Sequence, residues 1–202
     1  MKQYLNFPLF LFLVFVIVWI ILAIEPLYRP GWLVENIVIF ISVPIVLLSY
    51  WKFRLSNVSY VLIFIFSILP ILGAHYTYSY TPWGDWISAL FDLERNHYDR
   101  VVHFLYGMLM IPVFTDLLRA YLPKQMFMRG LLLVSVIITA GTLYEIAEFI
   151  AGITLSPEIG LAFLGFQGDI WDTQKDMVFL ILGALLGLLV FLPFWRNRFH
   201  AM

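Results

Sequence analysis

The ionisable residues of this 202-residue chain recur at spacings that chemistry can use. Asp99 and His103 stand four residues apart, so on a helix both project from one face. Tyr106 and Gly107 continue that face one turn deeper. Glu145 and Glu148 stand three apart, which again sets both carboxylates on one side. Asp169, Asp172 and Asp176 are spaced three and four, a single face if helical, and His75 closes an apolar run. Oxygen-rich sets with one or two imidazoles suit Mg²⁺, Mn²⁺, Zn²⁺ or iron. Helical bundles build such sites from inward-facing Glu and His on facing helices. His75, Asp99, His103, Glu145, Glu148 and Asp176 are therefore the candidate ligands of a divalent metal. A cation held there would activate water against an ester or phosphate, with Glu148 or Asp172 as general base. No Gly-x-Ser-x-Gly and no cysteine offers a competing nucleophile, and no residue is assigned to an organic cofactor.

Two other readings stay open. About seven acids crowded together repel one another unless a cation, protons or arginines neutralise some of them. Arg95, Arg100 and Lys175 offset part of that charge. In a purely structural arrangement, Asp99–His103 and Glu145–Arg100 are hydrogen-bonded pairs that hold helices in register. In a third, the buried acids mark a proton or cation pathway. Asp169 and Asp172, in a loop with Gly168 and Trp171, read equally well as surface residues. His97 reads as interfacial, and His200 at the tail is given no role. Asp116 is expected to pair with Arg119 one turn on. Gly183 and Gly187 form a helix-packing motif, within the chain or between copies, and Gly141 likewise allows close helix approach.

The elements that must hold these residues are membrane helices. The chain is 62% apolar and 12% charged, with a mean hydropathy of +0.92. Soluble domains carry about 25% charged residues, which excludes an ordinary globular fold, and 19 Phe, 11 Tyr and 7 Trp exclude a disordered one. With no cysteine there is no disulfide framework or thiolate metal site. Crossing the bilayer takes about 18 or more apolar residues. Six runs qualify or nearly so: Phe7–Ile24, Leu33–Tyr50, Val58–Ala74, Val101–Leu118, Gly130–Ile150 and Met177–Phe194. The first is too long for a signal peptide, and Ala23-Ile24-Glu25-Pro26 is not a small-x-small cleavage site. The expected fold is all-α, a polytopic bundle of six transmembrane helices forming one integral membrane domain over residues 1–202.

Charge gives that bundle an expected orientation. Lys2, Lys52, Arg54, Arg119, Lys124, Arg129, Arg196 and Arg198 fall on one side, and Arg29, Arg95, Arg100 and Lys175 on the other. Lysine and arginine favour the cytoplasm, so both termini are expected there, in a bacterial inner membrane. Twelve of the thirteen acids lie on the opposite, outer side, and no basic face suggests nucleic acid. Two outward segments, His75–Arg100 and Ala151–Asp176, are long, and long loops carry function. In the first, Pro82–Glu94 spaces Trp83, Trp86, Ile87, Leu90 and Phe91 as a short interfacial helix. The expected partners are membrane lipids and a lipid or lipid-linked substrate, with a homo-oligomer open.

Three runs of residues resemble a known group. Tyr98-Asp99-Arg100-Val101-Val102-His103-Phe104-Leu105-Tyr106-Gly107, Tyr144-Glu145-Ile146-Ala147-Glu148 and Gly168-Asp169-Ile170-Trp171-Asp172-Thr173-Gln174-Lys175-Asp176 are similar to segments of the YjdF-type bacterial inner-membrane proteins. The resemblance covers nearly the whole chain and implies a polytopic membrane protein, with no activity or substrate to carry over. A narrower similarity is to the VanZ-like proteins, associated with glycopeptide resistance. Their Asp-Lys-x-x-His-Phe signature is similar to Asp99-Arg100-Val101-Val102-His103-Phe104. Their later Asp with Gly seven and eleven residues on resembles Asp176, Gly183 and Gly187. Leu180 stands where that pattern has Asn, and its Glu-x-x-Gln has no clear counterpart.

Overall fold

Apolar runs of this length, with few charges, satisfy their backbone polar groups only as helices when lipid surrounds them. A computed structural model describes residues 3–164 and 167–197, with the side chains of residues 3–6, 161–164 and 197 excepted. Lys2, Arg198 and His200 lie outside the described residues. Among the described residues ten helices follow one another: α1 (Gln3–Ala23), α2 (Arg29–Glu35), α3 (Ile37–Lys52), α4 (Asn57–His75), α5 (Pro82–Phe91), α6 (Tyr98–Leu117), α7 (Met126–Thr154), α8 (Pro157–Leu164), α9 (Asp172–Val190) and α10 (Leu192–Asn197). The continuous span α2–α3, together with α4, α6, α7 and α9, is long and apolar enough to cross a membrane. The apolar stretch Phe7–Ala23 of α1, expected as the first of six spans, is shorter than these five. Large apolar side chains such as Leu48, Trp51, Phe149 and Leu189 point outward, as they do where the solvent is hydrocarbon.

The axis of the bundle is α6. It is 61% buried, against 33% or less for the other four long spans. Glycine lets α9 lie directly on it. A Cβ at Gly183 would strike the carbonyl oxygen of Phe104, one at Gly107 that of Leu180, and one at Gly187 would come within 2.6 Å of Met108 O. The Gly183–Gly187 motif is thus used inside the chain. Gly141 on α7 makes room for the Leu180 side chain, and Leu180, Ala184, Ile111, Leu133 and Ile137 fill the dry centre.

Several boundaries extend beyond the apolar runs, and the extensions matter for the site. α6 begins at Tyr98, three residues before Val101, α9 at Asp172, five before Met177, and α7 runs four past Ile150 to Thr154. Charged residues at span ends fold with the helix, because the helix supplies backbone bonds that a loop in the interface would leave to water. The last span stops at Val190 instead of Phe194, where Pro193 falls in the first turn of a new helix. The interfacial helix ends at Phe91, not Glu94, because Asp92 turns left-handed (φ +52°) and caps it. Its apolar side chains Trp83, Trp86, Leu90 and Phe91 are exposed. Its small residues Gly84 and Ser88 face the protein, Gly84 so closely that a Cβ would meet the Asn96 side chain.

Candidate functional site

Chain direction alternates, so the start of α6, the end of α7 and the start of α9 share one side of the bundle, the side that carries α5 and α8. The α6–α9 contact then aligns the first two turns of both helices, and Asp99, Asp172 and Asp176 converge. Among the described residues they form a group whose ligand oxygens all lie within 4.8 Å of one another. Asp176 is 2% exposed, Asp172 6%. Beside them His103 Nε2 stands 3.2 Å from Glu145 Oε1 and 3.7 Å from Asp99 Oδ1. The His103 ring meets Tyr144 edge-on at 6.0 Å. Five of the residues singled out by spacing (Asp99, His103, Glu145, Asp172 and Asp176) are thus brought to one place.

Glu148 is buried one turn from Glu145. It interacts with Tyr144, which also engages Glu35 from the end of α2. His75 goes elsewhere: its Nδ1 lies 2.9 Å from the Leu22 carbonyl oxygen on α1, and its ring packs on Tyr76. It serves the α1–α4 seam. The Glu145–Arg100 pair considered from the sequence is replaced by Glu145–His103. Arg100 donates to Asp169 Oδ2 at 2.6 Å and to Asp172 Oδ1 at 3.2 Å, while Arg95 grips Asp172 with both terminal nitrogens. Asp172 is thus held by two guanidiniums. Asp116 is found on the Ser56 backbone N–H (2.8 Å) and the Ser59 hydroxyl (2.7 Å), where it secures the start of α4.

Above this cluster sits a rim of ion pairs. Asp169 accepts from Lys175 Nζ at 2.6 Å. That bond first, and Arg100 with it, holds the Asp169 carboxyl well below the usual carboxylate range. His97 is pushed down from its ordinary value by burial and then by Arg100, whose Nη1 stands 2.7 Å from its Nδ1. The rim is tied to α5 through Asn96, which donates to Thr81 O and Asp85 Oδ1 and exchanges two bonds of 3.0 Å with Gln167. Burial also pushes up the Tyr78 hydroxyl, in the turn before α5, with Glu35 and Asp99 adding to it.

Three polar atoms in this region are buried with no hydrogen-bond partner: Arg100 Nε, Glu145 Oε1 and Asp176 Oδ1. Arg100 Nε and Asp176 Oδ1 face each other at 3.8 Å, too far for a bond. Buried polar groups are otherwise almost always satisfied, and here Glu145 Oε1 has the His103 ring at 3.2 Å and Asp176 Oδ1 only the distant Arg100 Nε. Asp99, Asp172 and Asp176, with His103 and Glu145 alongside, offer the oxygen-plus-imidazole donors that Mg²⁺, Mn²⁺, Zn²⁺ or iron accept.

Sequence spacing missed Glu35 and Tyr144. Glu35 lies two residues inside the second apolar run, so its insertion cost was itself the signal; Tyr144 stood only in a run that resembles the YjdF-type proteins.

Comparison with known proteins adds the following. Residues 7–198 match a family model described as "Predicted membrane protein (DUF2238)". The chain is 34% identical over 159 residues, 76% of its length and 74% of the relative's, to "Inner membrane protein YjdF" of Escherichia coli (strain K12). No solved structure matches.

Proposed function

The chain belongs to the DUF2238 family of membrane proteins, and from that premise we propose that its polar cluster is a divalent-cation site serving hydrolysis of a lipid or lipid-linked substrate. The observation that carries this reading is the Asp99–Asp172–Asp176 group, in which Asp176 Oδ1 is buried without a hydrogen bond, with the Glu145–His103 pair beside it. Asp99, Asp172, Asp176, His103 and Glu145 would hold the ion. When bound, such an ion supplies a Lewis acid that activates water and neutralises charge on a phosphoryl or ester oxygen. The chain's own part is then to place and move protons. Water adds its hydroxyl to the phosphorus or acyl carbon and gives its proton to Glu148. The P–O or C–O bond to the leaving group breaks, and Glu148 returns the proton to the leaving oxygen. Tyr144, between Glu148 and Glu35, orients the base.

The distribution of Lys and Arg supports termini in the cytoplasm and the cluster at the outer leaflet of an inner membrane, where α5 lays its aromatics among the headgroups. A second reading, a proton or cation path, is favoured by the run of carboxylates from Asp176 through Glu148 to Glu35. Against it, Asp116 at the other ends of the helices is spent on α4.

The test is elemental analysis of protein purified without chelators. One or two equivalents of metal, lost in His103→Ala and Asp176→Asn, support the site. Retained metal but lost lipid hydrolysis in Glu148→Gln supports the base. A wild type that is empty and takes up neither Mn²⁺ nor Mg²⁺ on addition overturns the proposal.

A further inference from the structure

Of the four Lys and Arg assigned to this side of the bundle, three converge on a single carboxylate. Asp169 Oδ2 lies 2.6 Å from Lys175 Nζ, 2.6 Å from an Arg100 terminal nitrogen and 3.7 Å from Arg95 Nη1. Arg95 and Arg100 also hold Asp172, so Asp169 is the acid on which all three cations meet. Two of the three are guanidiniums, whose planar forks fit a tetrahedral oxyanion bidentately. Asp169 is also the most exposed acid of the set, its side chain 15% accessible against 8% for Asp172 and 3% for Asp176. It stands on a sharp turn where Gln167 and Gly168 both adopt positive φ. Finally, Arg100 is 6% exposed and its Nε donor has no acceptor. That guanidinium already faces Asp169, Asp172 and Asp176, and its Nε, 3.8 Å from Asp176 Oδ1, is the donor left without a hydrogen bond.

We propose that Arg95, Arg100 and Lys175 form a subsite for a phosphate group, and that the Asp169 carboxylate holds the position which phosphate oxygens take. A phosphate there replaces Asp169 on Lys175 and Arg100 and reaches the unused Nε. It remains next to Asp172, which joins the rim to the cluster below. This deepens the reading above and rests on it for the chemistry: the group hydrolysed is a phosphate ester or pyrophosphate, not a carboxyl ester. Cationic side chains beside a divalent ion are the arrangement that stabilises charge on a transferring phosphoryl group.

The experiment is a binding titration of the full chain, in buffer without added divalent ions. Its probes are inorganic phosphate, pyrophosphate, and nanodiscs containing phosphatidic acid against phosphatidylcholine alone. Lys175→Gln, at a half-exposed position, should weaken phosphate binding about tenfold, and Asp169→Asn should tighten it about as much by removing the competing carboxylate. Opposite shifts in the two variants support the subsite. Shifts with the soluble anions point to a free phosphate source, and shifts with phosphatidic acid alone to a lipid. No saturable binding of any probe, with Asp169→Asn unchanged, overturns it. Metal content measured on the same samples separates the two ideas. Bound metal without phosphate binding sinks the subsite alone, and phosphate binding by protein that takes up no metal sinks the cation reading alone.

Discussion

His97 illustrates how a single group in the rim sets a pH response. Its folded value is lowered by burial and by Arg100, so the folded state favours the neutral ring. Its contribution to stability is therefore present above the unfolded value of about 6.5 and is lost as pH falls below it. Thermal unfolding in detergent should show a lower midpoint at pH 5.5 than at 7.5, and His97→Gln should reduce that drop. An identical drop in the variant would mean that other groups carry the whole response. The same scale shows what spacing could reveal. Asp99 and His103, and Glu145 and Glu148, were legible because each pair sits on one helix, where spacing fixes the face, whereas Asp172 read equally well as a surface residue until α9 was seen to begin with it. The partners were not. That Glu145 meets His103, that Arg100 turns to Asp169 and Asp172, and that His75 is drawn to Leu22 depend on how separate helices pack, which no local period encodes.

Between elements, the decisive contact is the backbone-to-backbone approach of α6 and α9. Gly183→Ala puts a methyl group against the carbonyl of Phe104, which is helix backbone and cannot swing aside. Overpacking of this kind costs about 1–3 kcal/mol, and it should also spread the first turns of α6 and α9 and weaken metal binding. Gly130→Ala is the control, since its Cβ would sit 3.4 Å from Leu188 Cδ1, an ordinary contact. Equal stability of the two variants in denaturant titrations would contradict the packing. At the start of α4, Asp116→Ala should cost about 1–2 kcal/mol, because the Ser56 N–H loses its acceptor and the Ser59 hydroxyl keeps only the Pro112 carbonyl. A cost nearer zero would show that water replaces the carboxylate there. The helices themselves were readable from apolar runs, and α5 from its spaced aromatics. The extra turns of α6, α7 and α9 were not, since charged ends of spans look like loops until a neighbouring helix pairs with them. The same holds for α8, inside a segment that read as a loop.

For the molecule as a whole, polarity is arranged by level: a dry centre, lipid-facing aliphatic walls, and one polar end where α5 and the ion-pair rim meet. In the orientation proposed from the Lys and Arg distribution, that end faces outward. Because the chain has no cysteine, single cysteines report accessibility on a clean background. Asp92→Cys should react with an impermeant maleimide on intact cells and Lys124→Cys only after lysis; the reverse pattern would invert the topology. The central claim, that this end holds a divalent cation, is tested most directly by titrating Mn²⁺ into nanodisc-embedded protein while following the signal of free Mn²⁺ by electron paramagnetic resonance. The account predicts saturation at one or two ions per chain in the wild type, much weakened in Asp176→Asn and retained in His75→Ala. Free signal rising from the first addition, equally in wild type and Asp176→Asn, would contradict it and leave the cluster as ion pairing between helices.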